Sequence, residues 1–242
     1  MTSHPYFAEA AANRIWSYFF GRGLVDPVDD FRLGNPATHP QLLEALASSL
    51  REQDYDLKHL IRLIVTSRTY QLSSWTNPSN RLDRINYSHA LPRPLAPAVL
   101  LDAISQVTRV PEVFGKMPVG TKAIELRFPS ESSFLDIFGT PQRDVVPEPG
   151  GKPSLGQALH MFAGETFNQK LSKEGGFLAR IVESDVSNGE IIEQLHLAAL
   201  ARLPTPGELA GHQEMFRSRP RKEAAEDLLW ALLTAREFCE NH

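Results

Sequence analysis

Apolar positions recur at three- and four-residue spacing along most of the chain, a period that predicts helices rather than strands. The first helix is expected over Tyr6 to Phe20. Phe7, Ala11, Ile15, Tyr18 and Phe19 share one face, which Ala8, Ala12 and Trp16 widen, while Glu9, Asn13 and Ser17 take the other side. Ser3 and Pro5 read as its start, Gly21 and Gly23 as its stop. Thr38 is the expected N-cap of a second helix over His39 to Glu52, with Pro40 in its first turn and Leu43, Leu46, Ala47 and Leu50 on its face. Asp56 caps a third, expected to run to about Tyr70 on Leu57, Leu60, Ile61, Ile64 and Val65, with His59 and Arg62 opposite. Ala96 to Val107 repeats the pattern with Val99, Leu100, Ala103, Ile104 and Val107.

Between and beyond these elements the pattern changes. Ser73 to Pro94 is polar and punctuated by Asn77-Pro78, Asn80, Asn86, Pro92 and Pro94, which reads as a long ordered loop and a candidate seam. Val110 to Gly151 is the least regular part. Lys122 to Phe128 alternates weakly, as a short strand would, and Ser132 to Phe138 suits one or two helical turns. Pro147-Glu148-Pro149-Gly150-Gly151 reads as a surface loop. Ser154 with Gln157 opens a helix to about Ser172 on Leu155, Leu159, Phe162 and Thr166, and Gly175-Gly176 breaks it. A short helix over Phe177 to Ser184 follows. Ser187 with Glu190, and Thr205-Pro206 with Glu208, are capping boxes for the next two helices. The last helix is expected over Lys222 to Phe238, burying Ala225, Leu228, Leu229, Leu232 and Trp230. This predicts an all-α protein, an irregular multi-helix bundle of about eight helices with a long irregular middle segment. It is read as one domain over residues 1–242, divisible into a helical half (1–109), a connector (110–152) and a second helical half (153–242).

Composition narrows the classes. The chain has 242 residues, 42% hydrophobic and 22% charged, ordinary for a globular protein and inconsistent with disorder throughout. A net charge of -4 gives no basic excess for nucleic acid or an anionic membrane surface. The single cysteine, Cys239, excludes an internal disulfide and a cysteine-cluster metal site. No signal-peptide pattern opens the chain, and no apolar run approaches the roughly 20 residues of a membrane span. The expectation is a cytoplasmic protein if the chain is complete, and a piece of an exported one otherwise.

The search for chemistry returns one candidate. Gly21-Arg22-Gly23 has a helix before it and Pro27 after it, the reverse of a phosphate loop, so it reads as a helix C-cap. Glu193 and His196 make one Glu-x-x-His where a di-iron bundle needs two. There is no Gly-x-Ser-x-Gly elbow. No metal or cofactor is expected. What remains is a polar cluster of Arg14, Arg22, Asp29, Asp30, Arg32, His59, Arg62 and Arg68. It either pairs internally to hold the loop after the first helix or lines a pocket for an anionic or carbohydrate ligand.

Several motifs occur together in order: Asn13-Arg14-Ile15-Trp16, Phe20-Gly21-Arg22-Gly23-Leu24-Val25, Asp29-Asp30-Phe31-Arg32, Tyr55-Asp56-Leu57-Lys58-His59-Leu60, Ser67-Arg68-Thr69-Tyr70-Gln71, Phe134-Leu135-Asp136, Gln157-Ala158-Leu159-His160 and Arg202-Leu203-Pro204-Thr205. In this the chain resembles a domain family of unknown function found largely in planctomycetes and related bacteria. The resemblance implies a domain that closes long exported proteins, behind a second domain of unknown function and often a cytochrome-c-like haem domain. It therefore implies a cell-envelope or periplasmic setting and partners among other domains or subunits, a cytochrome-c-like one included. It implies no reaction. Pro147-Glu148-Pro149 stands where many relatives have a Cys-x-Cys pair, and the chain has no haem-attachment motif. Two readings follow: a non-catalytic docking module, which predicts an exposed apolar patch, and an enzyme or ligand-binding domain built on the polar cluster.

Overall fold

The computed structural model describes residues 4, 6–126, 132–138, 160 and 164–241. The chain divides into two compact units, with the boundary between Arg93 and Pro94.

The first unit holds three helices: α1 (Phe7–Phe20), α2 (Pro40–Glu52) and α3 (Leu57–Val65). Each packs on the other two. Their shared core is Ala12, Trp16, Leu43, Leu46, Leu50, Leu60 and Ile64, completed by Leu24 and Val25 from the loop after α1 and by Tyr87 from far along the chain. Asp56 caps α3 as its spacing predicts, accepting from the Lys58 and His59 backbone N–H groups.

Three local expectations are corrected here. Asn13 and Ser17, placed on the polar side of α1, are buried, because the loop after the helix folds back over that side. Thr38 does not cap α2; its N–H and hydroxyl both donate to the Leu24 carbonyl, at 2.8 and 3.1 Å, and His39 takes the cap position. α3 ends at Val65 rather than near Tyr70. There the Thr66 hydroxyl donates back to the Arg62 carbonyl and the Ser67 hydroxyl accepts from the Tyr70 N–H, so side chains replace the helical ladder.

The second unit comprises α4 (Pro97–Thr108), a 3₁₀ turn (Ala123–Glu125), α5 (Ser133–Phe138), α6 (Glu165–Leu171), α7 (Phe177–Glu183), α8 (Asn188–Leu200), α9 (Pro206–Ser218), α10 (Arg221–Thr234) and α11 (Arg236–Cys239). α10 is its centre, touching α6, α7, α8, α9 and α11. It buries Ala224, Ala225, Leu228, Leu229, Leu232 and Leu233, a stripe at helical spacing. Of the three predicted capping boxes, those at Ser187/Glu190 and Thr205/Glu208 form, and Ser154/Gln157 lies outside the described residues.

Lys122 opens a 3₁₀ turn instead of a strand, because the Asp102 carboxylate on α4 accepts from the Ala123 and Ile124 N–H groups, at 2.7 and 3.1 Å. The final helix is two helices, since Ala235 is extended (ψ 146°) between α10 and α11. Of the helix expected from Ser154 to Ser172, the described part is α6 with His160, which is helical, and Gly164, the residue before α6; Ser154, Gln157 and Pro147–Pro149 lie outside the described residues. The all-α class holds: among the described residues, strand is confined to Arg93–Pro94 and Glu240–Asn241. No helix among them is long and apolar enough to cross a membrane.

Candidate functional site

The predicted polar cluster resolves into pairs. Arg14 on α1 meets Asp29 at 2.5 Å, Arg32 meets Asp30 at 3.1 Å, and Arg22 lies 3.6 Å from Asp26. The Arg14 guanidinium is held further above its ordinary range by the hydrogen bond to Asp29. His59 is 3.1 Å from the Ser49 hydroxyl of α2. Arg62 and Arg68 are exposed and have no carboxylate within ion-pair distance among the described residues.

Beneath these pairs, Asn13 organises the loop. Fully buried, its amide donates to the Val25 and Val28 carbonyls, both at 2.8 Å, and its oxygen accepts from the Val25 N–H at 3.0 Å. A side chain at Gly23 would strike the Val25 carbonyl at 2.2 Å, so the loop passes only with glycine there. Gly21 has φ +74° and closes α1 with its N–H on the Ser17 carbonyl. Arg93 donates to the Tyr18 and Phe19 carbonyls at 2.9 and 2.7 Å, a cation on the negative end of the helix.

The loop expected between Ser73 and Pro94 is held by hydrogen bonds within itself. The Ala90 N–H donates to the Ser73 carbonyl at 3.1 Å, so the segment leaves the unit and returns at one neck. Inside, Asn77 accepts from the Ser79 and Asn80 N–H groups, and Asn80 accepts from the Asn77 N–H and donates to the Ser88 carbonyl. Asp83 accepts from the N–H groups of Ile85, Asn86 and Ser88. These donors, the Ser88 side chain first, hold its carboxyl well below the usual carboxylate range. Tyr87 plugs the loop into the core. Its ring stands edge-on to Trp16 and Phe20, at 5.3 Å from each, and its hydroxyl donates to the Gly23 carbonyl. Outward, the loop presents Trp75 (88% exposed), Leu82 (83%) and Ile85, flanked by Arg81 and Arg84. Leu57, Leu63, Tyr70 and Leu72, just before it, are also exposed.

The second unit has a polar cleft of about 790 Å³ with a buried ammonium in its wall. Lys170 on α6, 5% exposed, donates to the Val110 carbonyl at 2.7 Å and pairs with Glu112 at 3.1 Å. Burial pushes its pKa down, and Glu112 opposes the shift. Ser132, Thr166 and Gln169 share the wall. The pair is 58 residues apart, which no periodicity reveals. Elsewhere, Arg202 bridges Glu208 and Glu237 with bidentate bonds of 2.6 to 2.9 Å. His196 is fully buried with neither ring nitrogen hydrogen-bonded, its ring 5.3 Å from that of His212. No group of three or more His, Cys, Asp or Glu placed to hold a metal occurs among the described residues.

Residues 1–216 match the model of a family described as PSD1, protein of unknown function (DUF1553). No curated protein and no solved structure matches the chain.

Proposed function

Given that the chain belongs to the PSD1 family of proteins of unknown function, we propose that it is a docking module, a helical domain whose task is to hold a partner domain or subunit in a larger assembly. The observation that carries this is the Ser73–Ala90 loop. Its Asn77, Asn80 and Asp83 side chains are engaged within the loop and Tyr87 anchors it in the core, while Trp75 and Leu82 stand in water. A monomer gains nothing from that arrangement, whereas exposed Trp, Tyr and Arg are the residues that dominate interface energetics. The ligand-binding alternative is supported less well, because Arg14, Arg22 and Arg32 each have a carboxylate neighbour already.

The resemblance to envelope proteins with a cytochrome-c-like neighbour suggests where to look for the partner. The test is association of the full chain with the cytochrome-c-like domain and with the domain encoded beside it, measured by biolayer interferometry. Binding that falls about tenfold or more in Trp75→Ser/Leu82→Ser supports the reading. No association with either, or association indifferent to these substitutions, removes it.

A further inference from the structure

We infer that the partner meets this loop with an acidic protein surface, received by Arg81 and Arg84 around Leu82 and Trp75, with Arg68, Arg62 and Lys58, exposed on the segment that leads into the loop, adding to the same positive balance. The inference rests on the docking reading and adds the chemistry of the partner.

It follows from how the first unit distributes its cations. Arg14, Arg22, Arg32 and Arg51 each have a carboxylate neighbour, and Arg93 is spent on two carbonyls. Lys58, Arg62, Arg68, Arg81 and Arg84 are all exposed, and none has a carboxylate within 4.0 Å among the described residues. The division follows the chain: every cation of this unit without such a partner among the described residues lies in residues 57–92, a segment that also exposes Trp75, Leu82 and Ile85, whereas the exposed Tyr18 and Leu33 lie in the part whose cations are paired. That segment holds five cations and one carboxylate, in a chain of 25 and 29. The one carboxylate, Asp83, is turned onto backbone N–H groups of its own loop and neutralises neither neighbouring arginine.

Charge selects the class of partner. Outside this segment the chain is acidic in balance. An extended polyanion, such as a membrane surface or a nucleic acid, would meet that excess as soon as it reached past the loop. A bounded acidic patch on a folded protein would not. Leu82 and Ile85 also call for an apolar complement, which a phosphate backbone does not offer and a protein interface does.

The test is selection of the full chain against a random peptide library displayed on phage, with anionic phosphatidylserine vesicles and single-stranded poly-dT as separate arms. Of the three tryptophans Trp75 is 88% exposed, Trp16 is 2% exposed and Trp230 is half-buried in the second unit, so an emission change that Trp75→Phe abolishes reports binding at the loop. The expected result is enriched peptides that join Asp or Glu to apolar residues. They lose about tenfold or more in affinity to Arg81→Glu/Arg84→Glu, and weaken as salt rises from about 0.05 to 0.3 M. Loop-dependent peptides with no acidic excess overturn the acidic partner and leave the docking reading standing. No loop-dependent peptide at all overturns both. Loop-dependent binding to vesicles or to poly-dT, with no acidic peptide enriched, assigns the face to a membrane or nucleic acid and overturns the inference. These surface changes keep the fold, which circular dichroism of each variant checks.

Discussion

The Tyr87 hydroxyl donates to the Gly23 carbonyl oxygen at 2.9 Å, joining positions 64 residues apart. Its ring fills the space beside Trp16 and Phe20 at the C-terminal end of α1, and its backbone stands in the left-handed region at φ 56°. One side chain therefore joins the loop after α1 to the surface loop that carries Trp75. Tyr87→Phe keeps the ring and is expected to cost about 1 kcal/mol, read as a shift in the urea midpoint. Asp83→Ala spares the core but strips three N–H groups of their acceptor. It is expected to raise amide exchange and protease cleavage within residues 73–90 with little change in global stability.

Asn13→Ala is expected to cost more than any exposed substitution on α1, about 2–4 kcal/mol. It removes three hydrogen bonds and leaves the Val25 N–H and two carbonyls buried without partners. Arg14→Ala, one residue along, breaks a pair that is about half exposed, and is expected to cost under about 1 kcal/mol. Thermal unfolding of the two variants side by side checks the contrast.

The Lys170–Glu112 pair predicts an asymmetric cycle. Glu112→Leu leaves a buried ammonium without its counter-ion and is expected to cost about 3–5 kcal/mol. Lys170→Met leaves a carboxylate that still reaches water, 24% exposed, and is expected to cost less. The double variant is expected to recover most of the loss. Chemical denaturation of the three variants measures it, and equal costs for the single variants would mean the pair carries no burial penalty.

Acid should loosen the α8–α9 hairpin. Burial lowers the pKa of both His196 and His212 below the ordinary imidazole value, while Glu208 pulls both the other way. Between the lowered folded values and the unfolded value near 6.5, the unfolded chain binds more protons than the folded one. Stability from these rings is thus fully present above about pH 6.5 and is lost as pH falls through that window, by at most about 1.4 kcal/mol per pH unit for each ring. His196→Leu, which keeps the site filled and apolar, is expected to flatten the slope of the urea midpoint between about pH 7 and 5.

Cys239 should be a slow nucleophile. Burial pushes its thiol up to about 11, and its Sγ–H donates to the Leu233 carbonyl at 3.3 Å. Alkylation by iodoacetamide near pH 8 is expected to be on the order of a hundredfold slower than for free cysteine, and to accelerate when the protein is unfolded in urea.

What could be read from the sequence was what is decided locally. Asp56, Ser187 with Glu190, and Thr205 with Glu208 cap helices through partners two or three residues away, so their spacing announced them. Asn13 could not be read, because a helical wheel places it on the polar side and only the return of residues 24–28 buries it. The end of α3 was hidden for a related reason: Tyr70 keeps the helical period, yet the Thr66 and Ser67 hydroxyls end the ladder first. Of the candidate site residues, Arg14, Asp29, Asp30 and Arg32 lie close enough in sequence for their pairing to be weighed beforehand. The buried Lys170–Glu112 pair, 58 residues apart, had no local signal, and Asp83 looked like any polar loop residue.

The single bond from Ala90 to Ser73 has one more consequence. A loop whose ends meet is a cassette: its rim, residues 74–86, can be lengthened, shortened or exchanged while its stem and the helices keep their register. Tyr87 and the neck bind it to the core, and Asn80 and Asp83 tie the rim to Ser88 and His89 of the stem, so with those two residues kept one helical scaffold can carry many different rims. Transplanting a rim of different charge onto the Ser73 and Ala90 ends is then expected to redirect what the domain holds without refolding it, and a chimera with unchanged melting temperature and altered peptide preference would demonstrate that independence.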